Sequence, residues 1–191
     1  NSKMSSTCEM VYDFICSIDK SKIDNKIATC IYTGIVADTG SFRFPSTTSK
    51  TLKVGSELIN YGVNVTEIFE KLHNNFQFKR LKLLGSAINN FKKIKGLPVV
   101  YTSITDRDQK VNDFKKGDSE GFVNFGLSVA EISCSVLFIE KKDEGLIKIS
   151  FRSKGDFKVN IFASRYFSGG GHEHASGGIS KLSLIETEKK F

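Results

Sequence analysis

The sequence predicts an α/β protein with an α-rich first part and a second part that contains a β-sheet. Apolar residues recur at helical spacing as far as residue 92. After Gly96-Leu97-Pro98 the apolar segments become rich in β-branched and aromatic residues, which is typical of strands. Of the 191 residues, 39% are apolar and 26% charged, so we expect a globular chain of one large or two small domains.

Two helices are predicted at the start of the first part. Ser6-Thr7-Cys8-Glu9 has the form of a capping box, and the helix that follows ends near Ile18. Its apolar face would consist of Met10, Val11, Phe14, Ile15 and Ile18. Asp24 is the cap candidate of the second helix, over 24–38. That helix is apolar nearly all round, so we expect it to be buried.

Three further helical patterns complete the first part, over 48–61, 64–73 and 76–92. The last of them is rich in lysine. Its predicted buried stripe consists of Leu81, Leu84, Ile88 and Phe91. The lysines fill the rest of the helix surface, so we interpret them as a solvated face rather than a nucleic-acid patch.

The second part is predicted to contain strands over 99–101, 132–139 and 146–151. Lys141-Lys142-Asp143-Glu144-Gly145 is expected to form the polar turn of a hairpin that joins the last two strands. Helices are predicted over 119–129 and 159–167. The second of these helices leads directly into a cluster of glycines.

The charge balance favours an anionic partner. Lys and Arg number 28 against 21 Asp and Glu, which gives a formal net charge of +7 and an isoelectric point near 9.2. Nucleic acid, nucleotide or phosphate would suit this excess of positive charge.

Cysteine usage and hydropathy predict a cytoplasmic protein. Cys8, Cys16, Cys30 and Cys134 show no CxxC spacing and lie in apolar segments, so we expect reduced core residues. No apolar run approaches the ~20 residues that cross a bilayer, and no basic and apolar leader opens the chain. The sequence therefore predicts a soluble protein without a membrane partner.

Asp38 is the first candidate functional residue, because it closes an apolar helix where the helix dipole disfavours a carboxylate. In one interpretation its side chain accepts hydrogen bonds from the Thr39-Gly40 turn. In the other it is a ligand of a divalent metal ion. Arg43 follows between two phenylalanines and is either a surface residue or a ligand for phosphate.

The second candidate is the segment SGGGHEHASGG, over 168–178. Consecutive glycines allow backbone N–H groups to converge on an anion, and His172 can add a donor or a charge. An ordinary glycine-rich turn with one chance histidine remains the alternative. A metal site at His172 and His174 lacks a third partner. Arg152-Ser153 ends a predicted strand, a place where ligand sites form in α/β proteins.

These segments together resemble a known family. IATCIYTGIVADTGSFRFPSTTSKT and FRSKGDFKVNIFASRYFSGGGHEHASG resemble the later part of the DHH family of phosphoesterases, in the nanoRNase and 3′-phosphoadenosine 5′-phosphate (pAp) phosphatase group, often called exopolyphosphatase-related. The resemblance covers nearly the whole chain. GGGHxxAxG is the signature of the DHH-associated C-terminal domain, and here Ser176 replaces the second alanine that is frequent in the family.

The resemblance implies roles for individual residues. Asp38 corresponds to a ligand of a centre of two manganese ions and is thereby implied to be catalytic. Substrate phosphate and nucleotide would be held by Arg152, Ser153, Gly170, Gly171 and His172, with Arg43 near the cleft. The implied reaction is hydrolysis of a phosphate ester by metal-activated water. The implied substrate is a short oligonucleotide or a nucleotide, and a homodimer is common in the family.

The resemblance also implies the domain organisation. Residues 1–75 would be the α-rich remnant of a DHH catalytic domain, 76–96 a connecting helix, and 97–191 a smaller α/β substrate-binding domain with a mixed sheet. No Asp-His-His occurs in the chain, and one aspartate cannot hold two manganese ions. We therefore expect the chain alone to be inactive and not to retain the metal. An RNA-binding or nucleotide-binding module without catalysis and a cyclic-dinucleotide phosphodiesterase are the alternative functions.

Overall fold

A computed structural model describes residues 4–191 of the chain. The described residues divide into two compact units, the first ending at Asn75 and the second comprising Phe76–Phe191. None of the helices within 4–191 has both the length and the apolar character needed to cross a bilayer. The assignment of the first unit to a catalytic domain stays a prediction.

The first unit is helical, as the apolar periodicity predicts. Its helices are α1 (Thr7–Asp19), α2 (Asn25–Asp38), α3 (Ser49–Ile59) and α4 (Val65–His73), and a short 3₁₀ helix, Lys20–Lys22, follows α1. Ser6, Asp24, Thr48 and Asn64 cap the four α-helices with side-chain oxygens that accept backbone N–H groups. One core holds them together, formed mainly by Tyr12, Ile23, Ala28, Ile31, Tyr32, Ile35, Val36, Val54, Leu58, Val63 and Ile68.

The predicted apolar face of α1 is not the buried one. Phe14 and Ile18 are 64% and 70% exposed, and the buried residues of α1 are Glu9 and Tyr12. Glu9 tolerates burial because its carboxylate accepts hydrogen bonds from the hydroxyls of Ser5 and Thr51. The Ser6 hydroxyl accepts from Cys8 N, so the predicted capping box with Glu9 is not formed.

Burial of α2 is one-sided, so the prediction of burial all round was wrong. Ile31 and Ile35 lie in the core, but Cys30 and Ala37 are exposed because α2 packs against α1 and α3 on one side only. The expectation of core cysteines therefore fails for Cys30. Cys134 is buried as expected, and all four cysteines are free thiols.

We expect this difference in burial to be visible in thiol labelling. Burial raises the pKa of Cys134 from 9.0 to about 11, so its thiol is both covered and neutral at about pH 8. Iodoacetamide should modify Cys30 in the folded chain and Cys134 only after unfolding in guanidinium chloride, as read by peptide mass spectrometry. Cys30→Ser is the control for assignment. Equal rates at both cysteines in the folded chain would contradict the burial of Cys134.

The second unit is built on a six-stranded mixed sheet, which confirms the predicted α/β class. Its strands are β1 (Lys92–Lys93), β2 (Val99–Ile104), β3 (Cys134–Lys141), β4 (Leu146–Ser153), β5 (Gly170–His172) and β6 (Ala175–Ser180). They lie in the order β1-β2-β3-β4-β6-β5. β2 and β3 are parallel, and every other neighbouring pair is antiparallel. The helices are α5 (Phe78–Asn89), α6 (Asp106–Val111), α7 (Asn124–Leu127), α8 (Val159–Tyr166) and α9 (Leu184–Lys190).

Each face of this sheet packs a separate core. On the first face the core consists mainly of Val136, Phe138, Ile147, Ile149 and Phe151 from the sheet with Val159, Ala163 and Phe167 from α8 and its end. On the second face the core consists of Ile104, Leu137 and Ile139 with Leu83, Ala87, Phe122 and Val123. The second core lies over β2 and β3, whereas Lys148 on β4 and Gly177 on β6 are exposed on the same face.

The structure corrects two predictions in the second unit. In α5 the buried residues are Leu83 and Ala87, whereas Leu81 and Ile88 of the predicted stripe are exposed. The contact with β2 explains the difference, since the Thr102 hydroxyl donates to Ala87 O at 2.5 Å. The helix predicted over 119–129 is a single helical turn, Asn124–Leu127, preceded by turns.

Candidate functional site

The glycine cluster forms a β-hairpin at the edge of the sheet. β5 and β6 are joined by the two residues Glu173 and His174. A Cβ atom at Gly169 would lie 2.0 Å from Gly177 O, and one at Gly171 would lie 2.7 Å from Ala175 O. Gly171 also has φ of +137°, so both positions require glycine. The cluster is therefore an ordered strand pair whose outer edge presents backbone groups.

The strand register places Arg152 and His172 on the same face of the sheet. Arg152 pairs with Ala175, and Ala175 pairs with His172. Paired residues on adjacent strands point to the same side, so Arg152 and His172 stand about 10 Å apart across Ala175, two strand spacings. The next row on this face is Ser150, Gly177 and Gly170. Small residues between two basic ones leave a trough on the sheet surface.

Arg152 is a partly desolvated cation. Its Nη1 donates to Phe151 O at 2.9 Å, which leaves other guanidinium donors for a ligand. Burial lowers the pKa of Arg152, and the charge of Glu120 opposes that effect. The guanidinium nevertheless remains charged at neutral pH. A bound anion would offset the desolvation, so the position suits phosphate recognition.

A basic cleft of ≈ 830 Å³ borders the same hairpin. It is lined by Lys116, Lys141 and Lys148 together with glycines and other residues of the hairpin. Glu144 is the acidic residue of this lining. The surroundings of the trough therefore carry an excess of positive charge, in agreement with the anionic partner that composition predicts.

Ser153 does not face the trough. Side chains alternate along a strand, and Ser153 lies on the face opposite to Arg152. Its hydroxyl donates to Phe157 O at 2.6 Å and lies 3.0 Å from His174 Nδ1. The structure thus brings Arg152, His172 and Gly170 to one face and places Ser153 behind them. A direct contact of Ser153 with substrate stays a prediction.

The negative charge of Asp38 is stabilised by a hydrogen bond that neither interpretation of the sequence contained. It is exposed at the end of α2, and its Oδ2 accepts a hydrogen bond from Ser6 Oγ at 2.7 Å. Ser6 is the N-cap of α1, whose N-terminal dipole favours a carboxylate. The predicted Asx-type turn is not formed, since Gly40 N and Ser41 N donate to main-chain carbonyls.

A left-handed turn follows Asp38. Gly40, Ser41 and Phe42 have φ of 55°, 61° and 63°, which is unusual for the two residues with side chains. The buried Thr39 supports the turn, since its hydroxyl donates to Ile35 O at 2.6 Å and accepts from Phe42 N. Arg43 Nε donates to Gly40 O at 2.7 Å. Arg43 is exposed, so its remaining donors are open to a ligand.

Sequence reasoning missed Thr39 and His174 as supports of the candidate residues. Thr39 binds Ile35 O and Phe42 N within its own turn, but the sequence gives no sign of the left-handed turn that these bonds support. His174 contacts Ser153, 21 residues away, and no spacing rule points to such a partner. Among residues 4–191 no group of three or more His, Cys, Asp and Glu is arranged to hold a metal ion. Asp38 supplies a single carboxylate, so the described residues do not by themselves fit a centre of two manganese ions.

Comparison with known proteins identifies the class to which this fold belongs. Residues 109–190, which contain β3 to β6 and the whole trough, match the family model of the DHHA1 domain. The second unit therefore contains a DHHA1 domain, the C-terminal domain type that is associated with the DHH family.

Individual relatives show more specifically which proteins this chain resembles. The chain is 35% identical over 185 residues to the bifunctional oligoribonuclease and PAP phosphatase NrnA of Bacillus subtilis (strain 168), which covers 91% of this chain and 54% of that protein. The NrnA of Thermus thermophilus is 33% identical over 178 residues, covering 92% and 51% respectively. The crystal structure of an exopolyphosphatase-related protein from Bacteroides fragilis superposes with a TM-score of 0.95 at 38% identity, over 100% of this chain and 56% of that one. The chain thus spans about half the length of the curated relatives it matches.

Proposed function

We propose that the protein containing this chain is a manganese-dependent phosphoesterase that hydrolyses short oligoribonucleotides and pAp. The observation that carries the proposal is the row of Arg152, Ala175 and His172 within the DHHA1 domain. The neighbouring row on the same face consists of Ser150, Gly177 and Gly170. The names of the relatives support the substrates, since they are called oligoribonuclease and PAP phosphatase.

In this proposal the second unit binds the substrate. Arg152 presents its guanidinium to a phosphate, and His172 approaches the same phosphate or its neighbour from the other side of Ala175. Gly170 and Gly177 allow the substrate to come close to the backbone. The first unit contributes Asp38 as one metal ligand and Arg43 as a further cation. The other ligands of the two manganese ions would come from outside the described residues.

The test is hydrolysis of pAp and of a 5′-labelled diribonucleotide by the full-length protein in the presence of Mn²⁺. Turnover of both substrates, lost on chelation, is the expected result. Binding of either nucleotide without any hydrolysis would overturn the enzymatic proposal in favour of a binding module. A cyclic dinucleotide is the third substrate in the assay. Its preferential cleavage would replace the proposed substrates by the cyclic class.

A further inference from the structure

The turn of the glycine hairpin is tied to the rest of the second unit by residues that the proposed binding row does not use. Ser153 N donates to His174 O at 3.2 Å, and Val159 N donates to Glu173 O at 2.8 Å. Side chains add two contacts, the 3.0 Å pair of Ser153 Oγ with His174 Nδ1 and the 2.8 Å ion pair of Lys158 with Glu173. His174 is also the second histidine of the His-Glu-His sequence, and it does not belong to the binding row.

The hydroxyl of Ser153 determines which nitrogen of His174 carries a proton. A serine hydroxyl has one hydrogen to donate, and the Ser153 hydroxyl donates it to Phe157 O at 2.6 Å. In the contact with His174 the serine oxygen must therefore accept, so Nδ1 of the ring is the donor. The ring is thus held by a directed hydrogen bond between β4 and the hairpin turn.

Few side-chain contacts determine the position of strand β5 within the hairpin. All three residues of β5 are exposed, and two of them are glycines without a side chain to pack. β5 lies at the sheet edge and pairs with β6 through three residue pairs. Glycine-rich backbone loses more conformational entropy on ordering than other sequences. The bonds at the turn therefore have a large share in ordering His172, which directly precedes Glu173.

We propose that Ser153 and His174 form a clamp that positions the glycine hairpin and thereby holds His172 on the Arg152 face. The proposal rests on the proposed phosphate-binding function of that face. His174 acts through His172 and is a positioning residue, not a catalytic one. Ser153 belongs to the same clamp, which accounts for its place behind the trough.

The test compares binding of pAp to the 191-residue chain by isothermal titration calorimetry across matched variants. His174→Leu removes the ring donor and should raise Kd about 3- to 10-fold, the range expected for one lost hydrogen bond. His174→Asn keeps an N–H donor near the Nδ1 position and should remain within about twofold of the unaltered chain. Lys158→Ala removes an exposed ion pair at the same turn and should also remain within about twofold.

The double variant Ser153→Ala/His174→Leu separates a clamp from a direct contact. The losses of affinity caused by removing the two partners of one hydrogen bond do not add, so the double variant should bind no worse than His174→Leu alone. Additive losses would instead assign Ser153 its own contact with the ligand and overturn the clamp. Hydrogen exchange supplies a readout that does not depend on binding. The amides of Gly170–His172 should exchange faster in His174→Leu than in His174→Asn, with the same thermal unfolding midpoint in both.

Failure of the clamp and failure of the proposed function are distinguishable. If the chain binds pAp and Arg152→Ala weakens binding, but His174→Leu binds and exchanges like the unaltered chain, the clamp is wrong and the phosphate site stands. If the unaltered chain does not bind pAp, the proposed function of this face is wrong. Hydrogen exchange of the hairpin then still decides whether the clamp exists.

Discussion

Arg152→Ala is expected to weaken binding of pAp to the chain by about 10- to 100-fold, because hydrogen bonds from a charged donor contribute about 1.5–3 kcal/mol. The guanidinium is partly desolvated, and its contact with Phe151 O uses only one of its donors. Loss of the side chain removes the one arginine of the trough, which is charged at all physiological pH values. Calorimetric titration with pAp gives the change in Kd directly.

Two further arginine variants sharpen this prediction. Arg152→Lys keeps the charge but not the planar fork, so its affinity should lie between those of the unaltered chain and Arg152→Ala. Arg165→Ala is the matched control, since Arg165 is an exposed arginine of α8, which packs on the opposite face of the sheet. Equal affinity of Arg152→Ala and Arg165→Ala would remove Arg152 from the proposed site.

Asp38→Ala is expected to lower the Mn²⁺-dependent turnover of the full-length protein by at least about 100-fold. Loss of a residue that only hydrogen-bonds a metal ligand typically lowers activity by about 10- to 100-fold, so loss of a ligand itself should have a larger effect. The carboxylate is exposed and accepts a hydrogen bond from Ser6 Oγ, so the thermal unfolding midpoint should change little. The measurement is turnover of pAp at saturating Mn²⁺, with bound manganese determined in parallel.

Asp24→Ala is the control for damage to the helix rather than to the metal site. Asp24 caps the opposite end of α2, and loss of such a cap costs about 1 kcal/mol of folding stability. This variant should unfold earlier and yet retain turnover. Full turnover in Asp38→Ala would limit Asp38 to its contact with the N-cap of α1, and the metal-ligand proposal for this residue would be wrong.

Local signals predicted the elements of the fold well. The helices α1 to α4 begin at or near the predicted caps, and the hairpin turn at Lys141–Gly145 closes with Gly145 at φ of 62°, as a glycine there permits. Elements whose sequence signals are weak or short were not predicted correctly. The turns before α7 and the glycine strands β5 and β6 lack the apolar alternation that identifies regular elements.

The candidate site could be predicted in its residues but not in its geometry. Arg152, His172 and the glycines were found from their residue types and from the family resemblance. Their common face follows from the pairing of β4 with β6 and of β6 with β5. Shifting either register by one residue would send one of the two side chains to the opposite face.

The sequence by itself determined the α/β class and the positions of most helices, because these depend on residues close together in the chain. Only the tertiary structure decided that the buried face of α1 contains Glu9 and not Phe14, and that Ser6 donates a hydrogen bond to Asp38. It also decided that Ser153 binds His174 behind the trough. The physical reason is that periodicity defines the faces of one element, whereas burial and register arise from contacts between elements that are distant in the sequence.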